Sequence, residues 1–160
     1  MITKSDLCRV WEEKLGYTFE KSALLEQALT HRSYANERGL TFGNETLALL
    51  GDTILQFFVT TQLFSETPTQ RPGFLTERRK SFVCEETLSE KAKKIGLGDA
   101  ILFGRGEGQQ GGALKPSHLS EALEAVIGAI YLDGGLKEAI RFLSTQFEEF
   151  TLNLEGPHER

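Results

Sequence analysis

The chain has 160 residues, of which 39% are hydrophobic and 26% charged, and its formal net charge is −5. This length and composition predict one soluble globular domain with a sizeable core. No apolar run approaches the roughly 20 residues that cross a bilayer, and the N-terminus lacks the apolar stretch of a secretory signal. We therefore expect no membrane partner and a cytoplasmic location. The negative charge argues weakly against nucleic-acid binding, because proteins that bind phosphate backbones are usually basic.

Apolar residues recur at helical spacing along most of the chain, and no segment alternates in the way typical of a strand. The sequence therefore predicts an all-α fold. In chain order, the first predicted helix is capped by Ser5 and the second lies near 21–29. A long third helix is capped by Asn44, reaches about Phe64 and is closed by Thr67 and Pro68. The remaining three run from Gly73 to about Ile95, from Lys115 and Pro116 to Gly134 and Gly135, and from Leu136 to about Leu152.

Residues 96–112 are rich in glycine and are predicted to form a loop between helices. Their spacing fits neither a dinucleotide-binding fingerprint nor a phosphate-binding loop, because no strand precedes them and the terminal Lys-Ser/Thr pair is missing. Residues 154–160 are expected to be a frayed end or the start of a linker. Cys8 and Cys84 lack metal-ligand spacing, so we expect reduced thiols in the core, with a disulfide as the alternative.

Two of the predicted helices carry acidic residues on one face. On the first, Glu45, Ala48 and Asp52 lie within about one sixth of the circumference at the helical period. On the second, Glu121 and Glu124 share a face because they are three residues apart. Gly128 follows on the same face, where its lack of a side chain would let another backbone or a ligand approach. The side of the first helix predicted to face the core carries Leu47, Leu50, Ile54, Phe57 and Phe58.

These acidic faces have two interpretations. The acids are solvated on the polar sides of amphipathic helices, or the two faces converge around a divalent cation. Clustered carboxylates repel one another unless a cation lies between them, and Mg²⁺ prefers oxygen ligands. Spacing alone does not decide whether the two helices meet.

Several segments together resemble one known family. Residues 44–52, NETLALLGD, closely resemble the ribonuclease III signature N-E-x-L-E-F-L-G-D. Residues 27–37 resemble the family's A-L-T-H-x-S-Y segment, and residues 120–135 resemble its A-D-x-x-E-A-L-I-G-A-I-Y-L-D-G-G segment. The resemblance covers roughly residues 10–150. It indicates a ribonuclease III-like nuclease domain at 1–153, with no double-stranded-RNA-binding domain in this sequence.

The resemblance implies a multi-helix ribonuclease III endonuclease-domain fold that forms a two-fold homodimer. It further implies an RNA-processing endoribonuclease that hydrolyses double-stranded RNA and leaves 5′-phosphate and 3′-hydroxyl ends. Mg²⁺ is the implied cofactor, and Mn²⁺ is expected to substitute for it. The family recognises its duplex largely by A-form shape and backbone contacts.

The resemblance also assigns roles to individual positions. Asp52 and Glu124 match catalytic and metal-binding acids. Glu121 occupies a metal-ligand position where the family usually has Asp, and Glu45 matches a further acid that we also count as a metal ligand. Ala48 stands where the family has a metal-binding Glu, and alanine cannot coordinate an ion.

Other positions are predicted to contact the partner subunit or the RNA. Leu49, which replaces a Phe that packs into the partner in many members, is a predicted dimer contact together with Phe57. His31 is predicted to be structural, and Pro72 stands where many members have a Glu. The predicted RNA contacts, whose alternative is a solvated surface for the basic residues, are Arg79, Lys80, Arg105 and His118.

Three functions remain open at this point. The first is an active Mg²⁺-dependent endoribonuclease, which the retained Asp52, Glu121 and Glu124 favour. The second is a catalytically impaired relative that acts as an RNA-binding or assembly protein, which Ala48 favours. The third is a helical interaction domain with no role on RNA.

Overall fold

The structure, a computed structural model, describes residues 4–66, 68–69 and 71–150. Over these ranges the chain is helical, and its only β pairing is an isolated parallel bridge between Thr30 and Leu102. The all-α prediction is confirmed. The helices are α1 (Lys4–Leu15), α2 (Ser22–Ala28), α3 (Arg32–Glu37), α4 (Glu45–Glu66), α5 (Pro72–Val83), α6 (Glu85–Lys94), α7 (Arg105–Gln109) and α8 (Pro116–Gln146), with single 3₁₀ turns at Leu97–Ala100 and Gly112–Leu114.

The centre of the fold is the packing of α4 against α8. A Cβ atom on Gly51 would lie 1.7 Å from the backbone oxygen of Glu124, and one on Gly128 would lie 2.2 Å from that of Leu47. The two backbones can approach this closely only because both positions are glycine. The predicted close approach at Gly128 is thus confirmed, and the approaching group is the backbone of α4.

Helix α4 is long and apolar enough to cross a membrane by length and composition alone, with a mean hydropathy of 1.4 in its most apolar window. The sequence interpretation that no such run exists is therefore wrong. Burial accounts for the apolar character on one side of the helix, where α4 packs into the bundle. The residues buried there are Leu47, Ala48, Gly51, Ile54, Leu55, Phe58, Val59 and Leu63.

The single helix predicted from Gly73 to Ile95 is instead two helices. The chain breaks at Cys84, whose backbone is extended, with φ −71° and ψ 155°. The hydroxyl of Thr87 donates to the backbone oxygen of Ser81 across this break, at 2.7 Å. Acids in the first turn of α6 and lysines in its last turn complement its dipole and stabilise a separate helix. Neither cysteine forms a disulfide. Cys84 is exposed, so the prediction of a core thiol is wrong there, whereas Cys8 is half-buried and packs against the core.

The glycine-rich segment is more ordered than the predicted loop. It contains α7 and two 3₁₀ turns, and the backbone of Leu102 pairs with Leu29 and His31. Glu37 holds the start of α7, because its carboxylate accepts from the backbone N–H of Arg105 at 2.7 Å. Residues distant in sequence supply these contacts, so the local glycine content did not indicate them.

The predicted stop at Gly134 and Gly135 and the restart at Leu136 are confirmed by a break inside α8 at Gly135, where the backbone is not helical and φ is 84°. The helix ends at Gln146, earlier than predicted. Lys91 of α6 donates to the Gln146 carbonyl at 2.8 Å and its ammonium lies 4.2 Å from the centre of the Phe147 ring. The predicted closure at Thr67, the end of the last helix near Leu152 and the tail at 154–160 lie outside the described residues.

The two predicted N-caps also differ from expectation. Helix α1 begins at Lys4, so Ser5 lies inside it, and the Ser5 side chain lies outside the described part. Asn44 precedes α4 as predicted, but its Nδ2 donates to the Ala28 carbonyl at 3.2 Å. Its buried Oδ1 has no hydrogen-bond partner among the described residues, so Asn44 ties α4 to α2 rather than capping α4.

Candidate acidic site between α4 and α8

The contact at Gly51 and Gly128 brings the two predicted acidic faces together. Asp52 follows Gly51 on α4, and the backbone of Glu124 lies against Gly51 from the side of α8. The Oδ1 atom of Asp52 also accepts a hydrogen bond of 3.2 Å from Nε2 of Gln56. The alternative in which the two helices do not meet is thereby excluded.

Glu124 has the most strongly perturbed carboxyl group of the site. Burial, then the negative charge of Asp52 and then that of Glu121 raise its pKa from 4.5 to about 8. None of these causes is a neighbouring cation. The free acid therefore holds its proton near neutral pH, and a divalent cation beside Asp52 would favour release of that proton.

Glu121 and Glu45 form a second part of the same cluster. Burial, followed by the charge of Glu45, raises the pKa of Glu121, and the positive charges of His118 and Arg32 partly offset this effect. Two protein cations therefore face this part of the cluster. By contrast, no basic side chain is among the causes of the raised pKa of Glu124.

Ala48 lies between Glu45 and Asp52 on the same face of α4 and is buried. Its methyl group belongs to the apolar core that α4 and α8 share. A carboxylate at this position would enter a space that already contains several acids. Because Ala48 stands where the family has Glu, α4 carries no oxygen donor between Glu45 and Asp52 on this face.

The carboxylates fit a hard divalent cation by the type of their donor atoms. The raised pKa of Glu124 reflects a repulsion that such a cation would relieve. As the side chains stand, however, no three Asp, Glu, His or Cys groups in the described part of the chain converge closely enough to hold an ion. Metal binding therefore requires the carboxylates to rotate toward one another.

His118, a predicted RNA contact, is turned into the protein. Its side chain is 14% exposed, its Nε2 lies 3.7 Å from Oε1 of Glu107, and its Nδ1 lies 3.0 Å from the Gly112 oxygen. His31 lies beside it, with the two ring centres 4.3 Å apart. His31 also precedes α3 and accepts from the backbone N–H of Ser33, which agrees with its predicted structural role.

The three basic residues predicted to contact RNA occupy different surfaces. Lys80 is exposed and pairs with Glu77 at 2.9 Å. Arg79 points toward α4, where its guanidinium lies 3.5 Å from the hydroxyl of Thr60. Arg105 is exposed at the start of α7. The structure does not gather these side chains into one patch with the acids, and their role on RNA stays a prediction.

The predicted dimer contacts lie on the outer side of α4. Leu49 is 72% exposed and Phe57 is 52% exposed. The prediction that Phe57 faces the core is therefore wrong, while Leu47, Ile54 and Phe58 are buried as expected. Leu49, Phe57 and the exposed Phe64 follow one another at helical spacing, which makes an apolar stripe that the described residues leave exposed.

Sequence reasoning missed Arg32 and the side-chain roles of Glu107 and Lys115. Lys115 forms an ion pair with Glu107, and this hydrogen bond, rather than the neighbouring charges, is the largest cause of the lowered pKa of Glu107. No spacing rule identifies these residues, because the contact between α7 and the start of α8 depends on how the glycine-rich segment folds.

Comparisons with known proteins bear on the family of this chain. A model of the ribonuclease-III-like family matches residues 21–149. Ribonuclease 3 of Bdellovibrio bacteriovorus is 44% identical over 137 residues, which are 85% of this chain and 58% of that protein. Ribonuclease 3 of Leifsonia xyli is 53% identical over 127 residues, which are 79% of this chain and 53% of that protein. The chain thus spans little more than half the length of these relatives.

A solved structure extends the similarity to three dimensions. The nuclease domain of ribonuclease III from Campylobacter jejuni, described for structural flexibility in a region involved in dimer formation, aligns with a TM-score of 0.82. The two chains are 37% identical, and the alignment covers 87% of this chain and 94% of the other. The family match, the shared fold and the meeting of Asp52 with Glu124 lead to one conclusion: this chain belongs to the ribonuclease III-like family.

Proposed function

We propose that the chain is the nuclease domain of a ribonuclease III-type endoribonuclease. Its substrate is double-stranded RNA, and hydrolysis leaves 5′-phosphate and 3′-hydroxyl ends. The observation that carries this proposal is that the charge of Asp52 acts on the half-buried Glu124 where α4 and α8 touch at Gly51. Membership of the family supports the reaction type, and a cytoplasmic location accords with RNA processing.

The proposed cofactor is Mg²⁺, with Mn²⁺ as a substitute. Asp52, Glu121 and Glu124 would hold the ion, with Glu45 at the edge of the cluster. When bound, the ion supplies an activated water and stabilises the leaving oxygen of the phosphodiester. Glu124 must lose its proton to serve as a ligand, so metal affinity increases as the pH rises toward about 8.

The test is cleavage of a long RNA duplex by the purified chain across a range of Mg²⁺ concentrations, with a chelator as the control. We expect Asp52→Asn and Glu124→Gln to abolish cleavage. The matched control is Glu90→Gln, because Glu90 is an exposed acid on α6, away from the site. Failure of the wild-type chain to cut at any Mg²⁺ or Mn²⁺ concentration would refute the proposed activity.

We further propose a homodimer that uses the outer side of α4. The exposed stripe of Leu49, Phe57 and Phe64 supports it, because a soluble chain rarely leaves aligned large apolar side chains in water. Phe74 of α5, which is 45% exposed, is a further apolar side chain on the surface. The similar Campylobacter jejuni domain, with its region involved in dimer formation, supports the same proposal.

A second candidate function is a catalytically impaired relative that binds RNA or serves as an assembly platform. Ala48 favours it, because its buried methyl group supplies no oxygen donor between Glu45 and Asp52 on α4. The discriminating variant is Ala48→Glu. We expect it to lower the Mg²⁺ concentration needed for half-maximal cleavage, because it adds a carboxylate to the site. If the wild-type chain and Ala48→Glu both bind duplex RNA and neither cuts it, the result favours the RNA-binding or assembly function.

A further inference from the structure

A compact set of side chains links α7 to the start of α8, beside the acidic cluster but outside it. Its members come from three places. Glu107 belongs to α7, and His31 precedes α3. Lys115 directly precedes α8, and His118 lies in the first turn of α8. The ring of Phe103 lies 5.1 Å from that of His31 and 5.4 Å from that of His118, between ring centres. The set is therefore packed from several sides.

His118 is fixed by its two ring nitrogens. Nδ1 lies 3.0 Å from the carbonyl oxygen of Gly112 and must carry a proton, because a carbonyl only accepts. Nε2 lies 3.7 Å from Oε1 of Glu107, within ion-pair distance. The Gly112 carbonyl thus engages Nδ1, and the Glu107 carboxylate faces Nε2. Neither nitrogen is left free for RNA.

His31 has the opposite proton arrangement. Its Nδ1 accepts from the backbone N–H of Ser33 at 3.2 Å, so the proton of the neutral ring is on Nε2. Burial, and then the neighbouring His118, lower the pKa of His31, which agrees with a neutral ring. The two rings, tilted by 53° to each other, thus carry their protons on different nitrogens, and His118 is the one that faces an acid.

Glu107 is also held by Lys115, the residue just before α8, through the same Oε1 atom that His118 faces. A Cβ atom on Gly112 would lie 2.9 Å from the backbone oxygen and 3.2 Å from the Cγ atom of Glu107, so the 3₁₀ turn packs directly on α7. The carboxylate that His118 faces therefore has little freedom to move.

His118 precedes Glu121 by three residues on α8, so the two side chains lie on the same side of the helix. Its charge acts on Glu121 in the direction opposite to that of Glu45. We propose that His118 is a positioning residue for Glu121, which it holds in place by tying the first turn of α8 to Gly112 and Glu107, and that it makes no contact with RNA. The kinetic consequence rests on the proposed endoribonuclease activity.

The kinetic test compares His118→Leu and Glu107→Gln with the wild-type chain. A residue that supports a metal ligand commonly affects activity by about tenfold or more. We expect kcat to fall by about this factor in each variant, while the KM and the salt dependence of duplex RNA binding stay unchanged. The double variant should lose no more than the single variants, because both remove the same link. A raised KM with an unchanged kcat would instead identify His118 as an RNA contact and overturn the proposal.

Two measurements on the metal-free protein do not depend on activity. Imidazole ¹⁵N spectra should show Nδ1 protonated in His118 and unprotonated in His31. The side-chain carboxyl ¹³C resonance of Glu121 should shift alike in His118→Leu and Glu107→Gln, while that of Glu90 should not move. An unprotonated Nδ1 in His118, or an unchanged Glu121 resonance in Glu107→Gln, would overturn the link. If the spectra agree but the wild-type chain cleaves nothing, the link is upheld and the proposed function fails.

Discussion

Replacing Gly51 with alanine tests the geometry on which the acidic site depends. The new Cβ atom would lie 1.7 Å from the Glu124 oxygen, 2.6 Å from its carbonyl carbon and 3.0 Å from the Gly128 nitrogen. All three are backbone atoms of α8, so no side chain can rotate away. To reach an ordinary contact of about 3.4 Å, the helices must separate locally by roughly 1.7 Å.

The expected cost follows from this separation. Overpacking of a core typically costs about 1–3 kcal/mol, and contact with backbone atoms places this variant at the upper end. For a domain of this size, about 3 kcal/mol corresponds to a fall in Tm of roughly 6–12 °C. Asp52 and Glu124 would also move apart, and a misplacement of about 1 Å can cost about 10²-fold in rate. The pKa of Glu124 should fall below about 8, because its burial and the Asp52 charge both weaken.

Gly73→Ala is the matched control. Gly73 lies in the first turn of α5, and a Cβ atom there would meet nothing within 4 Å. Alanine should leave stability unchanged or raise it by up to about 1 kcal/mol, because glycine is the poorer helix former. Calorimetry and RNA cleavage are measured on both variants. The reasoning is refuted if Gly51→Ala has the same Tm as Gly73→Ala and cleaves RNA at the wild-type rate.

Three further predictions concern single side chains. The pKa of Glu124 is raised in the folded state, so its contribution to stability is complete below about pH 4.5 and is lost as the pH rises through about 8. The urea midpoint of the metal-free chain should therefore fall over this pH range. Glu124→Gln should remove that part of the pH dependence. Leu49→Asp should shift the proposed dimer to monomer in sedimentation, whereas the exposed Thr46→Asp on α4 should not; a dimer that tolerates both changes does not use this stripe. Tyr17→Phe should lower the free energy of unfolding by about 1 kcal/mol, because it removes the 2.7 Å hydrogen bond to Asp133. Tyr34→Phe is the control. If the two variants are equally stable, the hydrogen bond to Asp133 does not stabilise the fold.

The sequence predicted the type of fold and the acidic faces better than it predicted where helices end. The long helix after Asn44 and the acidic face on each of the two helices follow from periodicity alone, because the other face of each helix is apolar. The break at Cys84 did not, since neither glycine nor proline marks it. The exposure of Phe57 could not be derived from one helix either. Whether an apolar residue near the edge of the buried face is covered depends on the width of the neighbouring helix.

The sequence by itself determined the family, the helical class and the identity of the carboxylates, because these depend on residue types and their spacing along the chain. Only the tertiary structure decided that Asp52 and Glu124 meet, since their meeting requires two backbones to touch at Gly51 and Gly128. It also decided the role of His118. A histidine three residues before an acid has the same spacing whether it faces solvent or a half-buried carboxylate such as that of Glu107. The fold of the glycine-rich segment, which brings Glu107 and Gly112 to its ring, makes it an internal link.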